Sequence, residues 1–296
     1  MNDRKSLLML VSSMLIYGTI GIFRRYIPLS SGILAFARGV IGAAFLLGLL
    51  AVRRTPFDRA SVGSRWGLLL FSGALIGFNW IFLFEAYRYT TVATATLCYY
   101  MQPVIVILAS PFLFRESLSP RKLLCVAAAL LGMVFVSGAA DSGLPSGGEA
   151  RGIAYGLAAA VLYASVVILN KKLTGVGTYE RTILQLSAAA LVLIPYLAAT
   201  EDFSALTLTP FAVAMVLVVG VVHTGIAYAL YFGSMDGLRA QTVALFSYID
   251  PVTAILLSAL ILHERMTLLG ALGAVLVLGS TVVSELWTPK PAKTEE

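Results

Sequence analysis

Charge is what this chain has least of. Asp, Glu, Lys and Arg make up 12% of its 296 residues, against roughly 25% in soluble domains, which excludes a water-soluble globule. Histidine and cysteine are scarce too, with two of each. Cys98 and Cys125 both lie inside apolar runs, so neither a disulfide framework nor a thiolate metal site is indicated. The chain has no G-x-x-x-x-G-K-[ST] phosphate loop and no H-E-x-x-H zinc pair, which argues against nucleotide hydrolysis and against a zinc-dependent protease. No cofactor is expected. Long polar stretches are also missing: the longest loop, Ala140 to Arg151 ("ADSGLPSGGEAR"), reads as a flexible linker rather than a domain. The net charge of +6 sits in short clusters between apolar runs. That pattern does not suit nucleic acid and does suit orientation at an anionic membrane surface.

What remains is hydrophobicity, at 59% of residues and a mean hydropathy of +0.89. A hydrocarbon core about 30 Å thick needs roughly 20 apolar residues per helix. Polar and Gly/Pro punctuation divides the chain into ten such runs: 6–27, 32–52, 66–87, 91–114, 122–139, 152–169, 181–199, 211–234, 240–262 and 267–286. The first has no A-x-A-like exit and reads as a retained helix, not a signal peptide. Of the 21 Lys and Arg residues, fifteen fall in segments that a cytoplasmic N-terminus would place inside, five fall outside, and Arg38 lies within a span. The positive-inside rule then predicts a multi-pass protein of the cell (inner) membrane with both termini cytoplasmic.

The chain also repeats itself. "YYMQPVIVILASPFLFRE" (Tyr99 to Glu116) aligns with "SYIDPVTAILLSALILHE" (Ser247 to Glu264) at an offset of 148 residues, matching the prolines and the terminal glutamates. Tyr100 falls over Tyr248, and Gln102 over Asp250. Upstream, "LIYGTIGIFRR" resembles "LYASVVILNKK", placing Tyr17 over Tyr163 and Arg24-Arg25 near Lys171-Lys172. The expected organisation is a five-helix repeat at 1–139, a linker at 140–151, a second repeat at 152–287 and a cytoplasmic tail at 288–296. Five is odd, so the second copy must enter the membrane from the opposite side. The expected fold is therefore an all-α integral membrane protein of ten transmembrane helices in two inverted five-helix repeats. Inverted repeats place substrate near the bilayer midplane, between the halves.

With these features in place, the sequence resembles the EamA-type family of the drug/metabolite transporter superfamily. The likeness rests on the five-plus-five duplication, the aromatic-Gly pair Tyr17-Gly18 in the first helix, Arg38 early in the second, and the Pro-to-Glu runs of the fourth and ninth. The family usually has Trp-Gly where this chain has Tyr17-Gly18. The resemblance implies export or uptake of small metabolites, such as amino acids or purine-like compounds, by a single chain.

Several residues stand out as candidates for binding or coupling. A carboxylate in mid-helix is costly in lipid and needs a cavity, a partner or a proton, so Asp250 is expected either to bind a substrate cation, to exchange a proton, or to make a structural hydrogen bond. Pro103 and Pro251 each remove a backbone donor and predict kinked helices. Gln102 is the uncharged counterpart of Asp250. His223, near the middle of its span, is the second candidate proton carrier, or simply a buried hydrogen-bonding residue. Arg38 and Glu85 fall at similar depth and are expected to form an ion pair, with substrate-carboxylate binding by Arg38 as the alternative. Asn79, Trp80, Tyr99, Tyr100, Tyr228, Tyr231 and Tyr248 form an aromatic and amide set, part of it lining a cavity and part anchoring at the interfaces. Tyr99 and Tyr100 are about 100° apart on a helix, so at least one is expected to face away. Glu116 and Glu264 end their helices and read as terminal or gate-network residues. The glycine pairs 73/77, 152/156 and 233/237 read as close-packing signals.

These features predict a secondary transporter of small polar or amphipathic metabolites, an exporter with possible proton coupling, acting as a monomer in the lipid bilayer. A passive facilitator or channel is the alternative. An intramembrane enzyme fits least, because Asp250 has no second midplane carboxylate to work with.

Overall fold

A computed structural model of the chain describes residues 3–24, 26–90, 92–136, 149–204, 208–261 and 267–286. Within them the chain is helical throughout: α1 (Asp3–Arg24), α2 (Ser31–Val52), α3 (Arg59–Gly63), α4 (Trp66–Tyr89), α5 (Val92–Tyr99), α6 (Gln102–Phe114), α7 (Pro120–Val136), α8 (Glu149–Lys172), α9 (Thr178–Thr200), α10 (Pro210–Val218), α11 (Ala227–Ser234), α12 (Ala240–Phe246), α13 (Ile249–Ile261) and α14 (Leu268–Leu286). A π-helical stretch, Val219–Ile226, joins α10 to α11.

Six helices among the described residues are long and apolar enough to cross a membrane: Arg4–Arg24, Ser31–Val52, Trp66–Tyr89, Ala150–Lys172, Thr178–Thr200 and Pro210–Gly237. This is a multi-pass membrane protein. The remaining apolar runs are shorter or interrupted. α7 has 17 residues and α14 has 19. The fourth run splits into α5 and α6, and the ninth into α12 and α13.

The splits have a local cause. Pro103 lies in the first turn of α6 and Pro251 in that of α13. A proline is tolerated there because the first-turn N–H groups have no intrahelical acceptor, whereas inside a helix it removes a bond and clashes with the carbonyl four residues back. The chain accordingly tightens just ahead of each proline. The Met101 N–H donates to the Cys98 carbonyl at 3.2 Å, and the Tyr248 N–H to the Leu245 carbonyl at 3.2 Å, both at a spacing of three residues. The predicted kinks are complete breaks, at equivalent places in the two copies.

Other boundaries carry their own signals. The Ser30 hydroxyl accepts from the Ile33 N–H at 3.2 Å at the start of α2, and Thr209 does the same for Ala212 at 3.2 Å, with Pro210 opening α10. In the π-helical stretch the Thr224 hydroxyl donates to the carbonyl of Val219, five residues back, at 3.2 Å. The apolar run expected at 211–234 is one continuous helix, Pro210–Gly237, with this π-helical stretch in its middle.

The copies interlock rather than sit side by side. α4 packs against α8 and α9, α2 against α9 and the π-helical stretch, α1 against α11 and α13, α6 against α12, and α7 against α14. The main core therefore draws from both halves, with Ile76, Val106, Leu186, Phe232 and Val252 all buried in it.

Candidate functional site

Between the halves lies a cavity of about 200 Å³. α1 contributes Tyr17, α2 contributes Arg38, α4 contributes Trp80 and Phe84, and the α5–α6 break contributes Tyr99, Tyr100 and Gln102. From the second half come Tyr163 on α8, Tyr228 and Tyr231 on α11, and Ser247 and Asp250 at the α12–α13 break. The two breaks thus bring Gln102 and Asp250, each in the first turn of a half-helix, to the same space. An unbroken helix would present only one face there. The break also explains why Tyr99 and Tyr100 both line the cavity, against the expectation that one would face away: Tyr99 ends α5 and Tyr100 already belongs to the turn.

Asp250 is held from the first half, with the Tyr100 hydroxyl donating to its Oδ2 at 3.1 Å. The twin tyrosine completes the tie, since the Tyr248 hydroxyl donates to the Tyr100 carbonyl at 3.0 Å. Tyr248 is fully buried and acts on the break itself, not on the cavity wall. Gly18 has a steric role beside this site. A Cβ on it would lie 2.5 Å from the Thr253 Cβ and 2.9 Å from the Asp250 carbonyl oxygen, so a side chain would push α1 off α13. This gives the Tyr17-Gly18 pair a physical reading: a ring for the cavity, then a gap for close helix contact.

Arg38 is placed differently from expectation. Its guanidinium carbon lies 5.1 Å from the centre of the Trp80 ring, a cation–π arrangement, and the Arg38–Glu85 pair does not form. Glu85 instead accepts from Arg88 at 3.0 Å and from the Tyr196 hydroxyl at 2.9 Å. Similar depth had suggested the pairing, but depth does not specify which face of each helix a residue occupies. Among the described residues Arg38 and Asp250 are the only charged ones on the cavity wall, and neither forms an ion pair with another described residue.

Three buried atoms on the wall lack a hydrogen-bond partner: the Tyr17 hydroxyl, Arg38 Nε and Gln102 Nε2. All three can donate. Buried polar groups are normally satisfied, and these three unpartnered donors lie around one cavity.

Other candidates lie elsewhere. His223 is buried, with Nε2 2.8 Å from the Thr19 hydroxyl and its ring 4.9 Å from that of Phe23, and it is not on the cavity wall. Asn79 is fully buried and donates to the Ala159 carbonyl at 2.7 Å, tying α4 to α8. Glu116 accepts from the backbone N–H groups of Ala240 at 2.8 Å and Gln241 at 3.2 Å, capping α12 from the other repeat. Glu264 lies outside the described residues, as do 140–148 of the linker and the 288–296 tail. Among the described residues no three His, Cys, Asp or Glu side chains are grouped to hold a metal.

Sequence reasoning did not single out Tyr17, Tyr163 and Ser247 as binding residues. For the two tyrosines a signal existed, because the internal alignment had paired them. It also missed a buried network centred on Arg181. This side chain is fully buried and donates to the Asn170 carbonyl (3.2 Å), the Phe232 carbonyl (3.0 Å) and both Asp236 carboxylate oxygens (3.3 and 3.2 Å). Two lysines are likewise tied to the second half: Lys122 Nζ donates to Gln241 Oε1 at 2.5 Å, and Lys171 donates to the carbonyls of Met235 and Leu238.

Comparison with known proteins agrees with this architecture. A solved crystal structure superposes with a TM-score of 0.84 at 21% identity, covering 96% of this chain and 99% of that one, so the fold is shared. A Bacillus subtilis (strain 168) protein named "Uncharacterized transporter YxxF" is 30% identical over 277 residues, covering 93% of this chain and 88% of its own length. An Escherichia coli (strain K12) protein named "Probable amino-acid metabolite efflux pump" is 29% identical over 222 residues, covering 71% and 74%. The model of the EamA-like transporter family matches twice, at residues 4–138 and 150–285, one match for each half of the internal repeat. With nearly its whole length accounted for in that duplicated form, the chain belongs to the EamA-like transporter family.

Proposed function

We propose that the protein is a secondary, alternating-access transporter of small polar or amphipathic metabolites such as amino acids, working as an exporter and with Asp250 available for proton coupling. In this reading ten helices span the inner membrane as two inverted five-helix repeats, the two broken helices included, with both termini cytoplasmic and one chain sufficing. The carrying observation is the cavity. It lies between the halves, takes its cation from one copy and its anion from the other, and is bounded by two helix breaks. Discontinuous helices meeting at a repeat interface are how many carriers place polar groups within a membrane. The name of the Escherichia coli relative supports amino-acid-like cargo.

Counterflow tests this reading. Proteoliposomes loaded with an unlabelled amino-acid mixture should transiently accumulate trace labelled amino acid, because a carrier exchanges solute one binding event at a time. Flux without counterflow would identify a passive channel, and conversion of the solute would identify an enzyme. An imposed pH gradient should raise accumulation in the wild type and not in Asp250→Asn if the carboxylate carries the proton.

A further inference from the structure

The cavity carries more chemical information than its existence. Its wall holds one cation, Arg38, and one anion, Asp250, from opposite halves of the chain, and the two do not pair with each other. A part-buried charge away from bulk water without an ion-pair partner is unfavourable, so each of the two invites an opposite charge. An organic cation would answer Asp250 and leave Arg38 unmet. An organic anion would do the reverse. A zwitterion answers both, and the net charge of the loaded cavity stays at zero.

The free hydrogen-bonding groups sharpen this. The Arg38 guanidinium carbon lies over the Trp80 ring at 5.1 Å, and the Arg38 Nε has no hydrogen-bond partner. Planar N–H pairs match carboxylates. Gln102 is 3% exposed and its Nε2 has no partner; the Tyr17 hydroxyl is also buried and unpartnered. Asp250 has one oxygen occupied by Tyr100 and is the only anionic group on the wall among the described residues. Eight of the sixteen lining residues are aromatic. They leave little room for a polar side chain and offer π faces both to an ammonium group and to an apolar or aromatic body.

We infer that this site recognises an intact α-amino acid with an aromatic or bulky apolar side chain, its carboxylate received by Arg38 with Gln102 and Tyr17, and its ammonium by Asp250. The inference rests on the transporter reading for its biological sense, but it is a claim about binding and can be measured alone. The full-length chain, purified in detergent, is titrated by calorimetry with L-phenylalanine, phenethylamine, which lacks the carboxylate, and 3-phenylpropionate, which lacks the ammonium. L-Phenylalanine should bind at least about tenfold more tightly than either, since each analogue leaves one of the two part-buried charges unanswered. Arg38→Gln should bring L-phenylalanine down to the affinity of phenethylamine, whose own binding should hold or strengthen because no guanidinium is left unanswered beside its ammonium. Asp250→Asn should bring it down to that of 3-phenylpropionate. Phenethylamine or 3-phenylpropionate binding as well as the amino acid overturns the inference, as does absence of binding by all three. The wild-type series alone decides the matter if a variant does not fold. Counterflow of some other solute with no zwitterion preference would sink this inference and leave the transporter reading intact. The preference without transport of any solute would do the opposite.

Discussion

Removing Asp236 should damage the protein more than removing the arginine it pairs with. Arg181 is fully buried, whereas the Asp236 side chain is 38% exposed. Asp236→Ala leaves a buried guanidinium with two of its four hydrogen bonds, those to the Asn170 and Phe232 carbonyls. Breaking a buried ion pair from one side costs about 3–5 kcal/mol, and the surviving carbonyl bonds put this case near about 3. Arg181→Met keeps the volume and removes the charge together with its desolvation cost. The remaining carboxylate can hydrate, so the loss is about 1.5 kcal/mol, the low end of what hydrogen bonds to a charged group are worth. The double variant should then resemble Arg181→Met, with Asp236→Ala costing almost nothing once the guanidinium is gone. Unfolding of the purified chain in detergent with rising dodecyl sulfate, followed by tryptophan fluorescence, gives the order of the three variants. If Arg181→Met is the most damaging single change, or if the losses add, the argument from unequal exposure is wrong.

Gly73→Ala should lower the melting temperature, because its Cβ would meet the Gln185 carbonyl oxygen at 2.5 Å and the Ala188 Cβ at 2.7 Å on α9; overpacking costs about 1–3 kcal/mol, more than the roughly 1 kcal/mol gained in helix propensity. Gly48→Ala, with nothing within 4 Å, should leave the melting temperature level or higher, and equal behaviour of the two would remove the close-packing explanation. Asn79→Leu should cost about 0.6–1.7 kcal/mol, the range of interhelical hydrogen bonds in membranes, and leave calorimetric ligand affinity unchanged, because its contact is with α8. Glu116→Ala should cost about 0.5–2 kcal/mol in thermal unfolding, since α12 has no side-chain cap of its own; a smaller loss in Glu116→Gln, which keeps one acceptor, would separate capping from charge.

Much of this architecture can be read before any coordinates. The apolar runs, the duplication at Pro103 and Pro251, and the pairing of Tyr17 with Tyr163 are all visible in the residues. Hydropathy counts residues and is blind to backbone continuity, so the two split apolar runs look whole; only the prolines hint at the breaks. Rotation of a helix about its axis is set by what packs against it. For that reason Arg38 could be given a depth but not a partner, and it faces Trp80 instead of Glu85. Arg181 looks like an ordinary loop cation because its sequence neighbours are polar. Its burial comes from Phe232 and Asp236, more than fifty residues away. His223 is conspicuous in the sequence as an ionisable residue in an apolar run, but its contacts with Thr19 and Phe23, and the π-helical stretch it sits in, have no signal there.

The two copies share a backbone device and differ in the chemistry hung on it. Both break a helix just before a proline, both carry a tyrosine in the turn, and both place a polar residue in the first turn that follows. In one copy that residue is Gln102, a free donor; in the other it is Asp250, an anion. The N-terminal end of a helix carries a partial positive charge, so two such ends meeting in one cavity would by themselves suit an anion. Placing a carboxylate on one of them answers that end internally and leaves the other, with Gln102 and Arg38, open to a ligand's acceptor. Duplication thus supplies the cavity, and divergence at a single aligned position supplies the polarity along which an asymmetric molecule can be held.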